Sequence, residues 1–125
     1  MKKIRVVVAN RPRLMRELVL ATIADQPDIE IVGETQFDTE IPQVVQETLP
    51  DFLIIALEEP DQRPSLCDFI LERHPHMKIL AIAPDSDISI FYWASLDIHS
   101  NPVEASEQGV LHALRSKTEL VGGET

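Results

Sequence analysis

The chain has 125 residues, the size of one ordinary domain. Hydrophobic residues make up 44% and charged residues 26%, enough apolar material for a core and too much for a disordered or fibrous chain. Eleven Lys and Arg against 21 Asp and Glu leave a net charge of −10, which argues against direct nucleic-acid binding, since neutralising phosphates takes a basic face.

Residues 4–9 form an apolar run (Ile4, Val6, Val7, Val8, Ala9), the pattern of a strand buried on both faces. Asn10-Arg11-Pro12 cuts that run too short for a signal peptide, and no apolar run approaches the ~20 residues that span a bilayer. A cytoplasmic protein that does not engage membranes is the expectation. Pro12, near the first helical position, opens a helix to about Asp25, with Leu14, Leu18 and Ala21 read as its buried stripe beside Met15 and Thr22. Gln26-Pro27-Asp28 breaks it, and residues 29–32 alternate apolar with polar as a short strand ending at Gly33. Asp38 or Thr39 can cap a second helix that buries Ile41, Val44, Val45 and Leu49 before Pro50 stops it.

Residues 52–57 are the most hydrophobic segment and the expected central strand; 58–64 are a polar loop. Ser65 can cap a third helix with Leu66, Phe69, Ile70 and Arg73 at helical spacing, ended by His74-Pro75, and residues 79–83 read as another buried strand. The order βαβαβαβ calls for right-handed crossovers and a parallel sheet covered on both faces. After Ala83 the pattern changes. Pro84-Asp85-Ser86-Asp87 is turn chemistry, and Ile88, Ile90 and Tyr92 then alternate with Ser89, Phe91 and Trp93. A strand hairpinning back against its predecessor is the preferred reading; the rival is a short helix capped by Ser86 or Asp87. Ser106 caps a last helix that buries Val110, Leu111 and Leu114 to about Lys117. One domain over residues 1–119 with a flexible tail at 120–125 is expected.

Four segments then carry a likeness: IRVVVANRPRLMREL (4–18), PDIEIVGE (27–34), PDFLIIALEEP (50–60) and ERHPHMKILAIA (72–83). In order and spacing they resemble the receiver domain of bacterial two-component response regulators, most of all receivers that accompany a helix-turn-helix DNA-binding domain. The likeness covers roughly residues 3–83. It implies an α/β fold of the flavodoxin-like, CheY-like kind, a doubly wound and mostly parallel sheet. Here that sheet is expected to be remodelled between the fourth and fifth strands and to end in an antiparallel edge strand.

The family's chemistry rests on five positions, and this chain departs at each. Where two acidic residues hold Mg²⁺ stand Asn10 and Arg11; where an Asp accepts the phosphoryl group stands Ala56; where a Thr or Ser senses it stands Ala83. No Lys lies between Lys78 and Lys117 to serve as the fifth. Phosphoryl transfer to a carboxylate needs a nucleophile, and Mg²⁺ needs oxygen ligands at about 2.1 Å. The expectation is a pseudo-receiver: no enzyme, no cofactor and no metal, acting by protein–protein contact in bacterial signal transduction or transcription control. The alternative is a small-ligand sensor using an apolar pocket that Ala56 and Ala83 open at the strand ends. Arg11 is expected to lie over those ends, bound to a carbonyl or carboxylate, with Glu58 a candidate.

The remaining candidates are weaker. His74, His76, His99 and His112 lack metal-ligand spacing, and Glu58, Glu59 and Asp61 read as a solvated loop. Cys67 reads as a small buried residue, and glycines at 33, 109, 122 and 123 frame no phosphate loop. Phe91-Tyr92-Trp93 is expected to supply an interface for a second copy or another protein, unless the first and last helices cover it.

Overall fold

The computed structural model describes residues 2–59, 61–84, 88–94 and 98–123. In chain order they form β1 (Ile4–Ala9), α1 (Arg13–Ala24), β2 (Ile29–Glu34), α2 (Ile41–Thr48), β3 (Phe52–Ala56), α3 (Ser65–Arg73), β4 (Lys78–Ile82), β5 (Ile88–Ala94), β6 (Ile98–Glu104) and α4 (Glu107–Gly123). The strands make one sheet in the order β2-β1-β3-β4-β5-β6. The first four run parallel, while β5 pairs antiparallel with both β4 and β6. Every side chain of β3 is buried, as a central parallel strand requires.

The sheet's alternation sorts its side chains into two layers. Val7, Leu53, Ile55, Ile79, Ala81 and Tyr92 pack with Ile41 and Val45 of α2 and Cys67, Ile70 and Leu71 of α3. Val6, Val8, Phe52, Ile54, Leu80, Ile82 and Phe91 pack with Val19 and Ile23 of α1 and Val110, Leu111 and Leu114 of α4. Ser106 caps α4, its hydroxyl accepting the Gly109 N–H at 3.0 Å. Gly109 has to be glycine, because a Cβ there would stand 1.9 Å from the Glu104 carbonyl oxygen.

The helices are rotated from their sequence reading. In α1 the buried residues are Arg16, Val19 and Ile23, whereas Leu14 and Leu18 are 67% and 56% exposed and Ala21 is exposed too. A polar group sets this rotation: the Arg16 guanidinium turns inward, its Nε donating to Glu34 at 2.8 Å and Nη1 to the Asn10 carbonyl at 3.4 Å. In α2, Leu49 leaves the buried stripe because it ends the helix in the left-handed region (φ 48), which leaves it 59% exposed before Pro50. Neither Asp38 nor Thr39 caps α2; both lie in a single 3-10 turn, Asp38–Glu40. Thr35 braces that turn, its hydroxyl donating to Glu40 at 2.6 Å and accepting the Phe37 N–H at 3.2 Å. In α3, Ser65 is the first helical residue and makes no capping bond, and Phe69 is exposed under the Arg73 guanidinium, 3.6 Å from the ring centre.

The hairpin reading of β5 agrees with the structure, but the edge strand is β6, which the sequence reading lacked. Its Pro102, paired with Ile90, is tolerated because an edge strand leaves one side of its backbone free of the ladder. The expected turn residues 85–87 lie outside the described residues. The backbone of α4 runs to Gly123, past Lys117 and into the segment read as a tail. The exposed aromatic face does not form. Phe91 is fully buried beside Phe52, Tyr92 is buried in the opposite layer, and only Trp93 is half-buried, stacked on Phe91 at 5.2 Å. Consecutive strand residues must point to opposite faces, and here each face has a layer to receive them. Among the described residues no helix is long and apolar enough to cross a membrane.

Candidate functional site

The carboxyl ends of β1, β3 and β4 lie side by side, with Ala9 opposite Ile55 and Ala56 opposite Ile82. Asn10, next after β1, is fully buried and neither atom of its side-chain amide has a partner. Arg11 reaches across the strand ends, its guanidinium donating to Asp38 and, at 3.1 Å, to Glu58. Three segments thereby converge on one cation: the turn into α1, the 3-10 turn before α2 and the loop after β3. The Asp38 hydrogen bond, supported by Glu58, holds the Arg11 pKa above its ordinary value against the lowering effect of burial.

Ala56 is buried apart from one side, where it lines a cavity of about 290 Å³ together with Arg11, Asp38, Glu58, Arg63 and Leu66. Ala83 takes no part in that cavity. It is buried, and its N–H donates to the Ile88 carbonyl at 2.9 Å at the mouth of the hairpin. The apolar pocket expected from the two alanines is therefore replaced by a largely charged one. Of the four positions singled out in the sequence, the structure brings Arg11 and Ala56 together at the cavity and places Asn10 and Ala83 in the core around it.

The Glu58 contact with Arg11 was legible, because an arginine placed between strand ends must find an anion. Asp38 was missed in this role; its signal, an acid in the turn after β2, looked like a helix cap. These residues do not suit Mg²⁺. Of the three carboxylates that line the cavity, Asp38, Glu58 and Glu59, the first two are held by Arg11, and among the described residues no three His, Cys, Asp or Glu side chains converge as metal ligands. Nor is there a nucleophile at Ala56. Cys67 stands in the core with its thiol pushed up to about 12 by burial, so it stays protonated and unreactive near neutral pH. His74 ends α3, its N–H donating to Ile70 and its carbonyl accepting from Met77, a turn role. His76 and His112 are exposed on separate elements.

No family model matches the chain, and no curated protein matches it. Among solved structures, the chain is similar to the signal receiver domain assigned to the response regulator NarL of Mycobacterium tuberculosis, with a TM-score of 0.59 and 21% identity over 69% of this chain and 70% of that one. At that identity the likeness establishes the fold, which is receiver-like.

Proposed function

We propose that this protein is a signalling or regulatory module that works through protein contact and without phosphorylation, a pseudo-receiver in the two-component sense. The observation that carries this reading is the Arg11 bridge to Asp38 and Glu58 beside Ala56. A receiver's site alternates between charge states as a cation and a phosphoryl group come and go. Here a guanidinium supplies permanent positive charge, and an alanine stands where the acceptor would be.

The partner-facing side follows from the connection after β4, where the receivers this chain resembles carry a helix before their fifth strand. Between β4 and β5 the chain makes only a short connection, so the β5–β6 part of the sheet has no helix of its own on the α2/α3 side. Ile88 is 41% exposed there, and Ile90, Ala94 and Ile98 are half-buried. An apolar sheet face left this open favours a second copy or another protein. This shifts the proposed contact from Phe91 and Trp93 to the isoleucines of the opposite face.

The test is incubation with acetyl phosphate, or with beryllofluoride and Mg²⁺, followed by intact mass and amide NMR. No adduct and no Mg²⁺-dependent shift are expected for the wild type or for Ala56→Asp, since that variant still lacks the metal ligands. A labile aspartyl phosphate on either would overturn the reading. The charged cavity beside Ala56 supports a second reading, a site for a polar small molecule, which a thermal-shift screen against polar metabolites would reveal.

A further inference from the structure

The α1/α4 side of the sheet carries a second cavity, on the face opposite the Arg11 cavity. It is a groove of about 180 Å³ between the two helices, walled by Met15, Leu18, Val19, Thr22 and Val110 and floored by Ile82. Beside its floor sits a polar group with nothing to bond. Ser89 is 1% exposed, and its hydroxyl has no hydrogen-bond partner. Ser89 pairs with Ile82 on one side and Val103 on the other, all three on the α1/α4 face. Side chains paired in this way stand about 5 Å apart, so the orphan hydroxyl lies one side chain behind the floor of the groove.

We infer that this groove binds a small uncharged molecule with an apolar ring and one hydrogen-bonding group, which reaches the Ser89 hydroxyl through a rotamer change at Ile82. Size fits: a dry apolar cavity of about 150 Å³ accommodates benzene. An orphaned hydroxyl costs free energy that a ligand's donor or acceptor recovers. Charge selects against an anion. Glu107 stands at the rim in the first turn of α4, where it offsets the positive end of that helix, and the chain as a whole carries −10.

Phenol is the probe, titrated into the isotope-labelled full chain and followed by amide NMR. Saturable shifts are expected at Val19, Ile82, Ser89 and Val110. Ser89→Ala should weaken phenol about tenfold, the loss of one hydrogen bond, without lowering the melting temperature, because an unpartnered group has been removed. Thr22→Trp, which fills the groove from its half-buried wall and leaves Ser89 in place, should abolish the shifts. Benzoate, the anionic counterpart, should not bind. The proposal is overturned by shifts that fail to saturate or scatter over the surface, by unchanged phenol affinity in Ser89→Ala, by a melting loss in that variant, or by benzoate binding as well as phenol.

Discussion

The two halves of the sheet are built on different rules. From β1 to β4 each strand is followed by a crossover, helices cover both faces, and strands such as β3 are apolar at every position. From β4 to β6 the chain folds back on itself twice through short connections; α4 packs on one face of β5, while on the other only Tyr92 is buried against the α2/α3 layer and Ile90, Ala94 and Ile98 stay half-open. The parallel half holds the strand ends where Arg11, Asp38 and Glu58 meet; the antiparallel half holds the half-open isoleucine face. A receiver-like sheet thus stays packed with only a short connection after its fourth strand, because the next strand pairs antiparallel and brings its own core residues.

The largest effect that would break this comparison lies at Phe91. Its ring is fully buried, 6.0 Å from that of Phe52, and so joins the antiparallel half to the parallel one. Phe91→Ala should cost about 3–5 kcal/mol in urea unfolding, and half-buried Trp93 should cost less. A cost below about 1 kcal/mol at Phe91 would mean that the antiparallel half is not packed onto the rest of the core.

How much of this was legible follows the same divide. Continuous apolar runs gave the parallel strands because a strand covered on both faces has no polar side to show. The hairpin was legible from the alternation of residues 88–93 after the turn-forming composition of residues 84–87. The rotation of α1 was not, because it is set by Arg16 reaching inward to Glu34, and a pattern of apolar residues alone cannot reveal a buried arginine. Leu14 and Leu18 keep helical spacing just as well as Val19 and Ile23. β6 was hidden by its Pro102 and by polar residues that suit an edge. At the candidate site, Arg11 and Ala56 were legible as departures from a resembled pattern, while Asp38 depended on a turn whose path only the fold reveals.

Alkaline pH sharpens the comparison on the parallel side. The Cys67 thiol is raised by burial from 9.0 to about 12. Its contribution is present in full below the unfolded value and is lost as pH rises towards the folded one, because over that window only the unfolded state gives up the proton. Stability should fall by about 1.4 kcal/mol per pH unit between roughly 9 and 12 from this group. Tyr92, also raised by burial, adds loss of the same sign. Urea midpoints of the wild type and Cys67→Ala across pH 8–11 should diverge in slope, and parallel slopes would place the thiol in contact with water.

A smaller effect is expected at Thr35, which braces the turn before α2. Thr35→Val keeps the shape but removes the bonds to Glu40 and the Phe37 N–H, and it should cost about 1 kcal/mol. The same turn presents Asp38 to Arg11, so the variant should also shift the Arg11 side-chain resonances. A stability loss with those resonances unmoved would show that Arg11 is held by Glu58 alone.

The smallest expected effect lies where the two halves are tied at the surface. Arg115 of α4, which follows the antiparallel strands, holds both carboxylate oxygens of Asp28 at 2.8 and 2.9 Å and the Gln26 side chain at 2.6 Å, on the turn between α1 and β2. The geometry is bidentate, yet the pair is exposed, and exposed pairs gain little over their hydration. The Asp28 carboxyl is held below its ordinary 3.8 by the Arg115 hydrogen bond. The tie therefore acts in full above the unfolded carboxylate pKa and is lost as pH falls through the lowered folded value. Arg115→Ala should shift the melting temperature slightly at neutral pH and low salt. The shift should vanish in 1 M salt, where screening reaches to about 3 Å, and again in acid. A shift that survives both conditions would mean that Arg115 works through the packing of its stem on the turn, and the halves would then be joined there by apolar contact and not by charge.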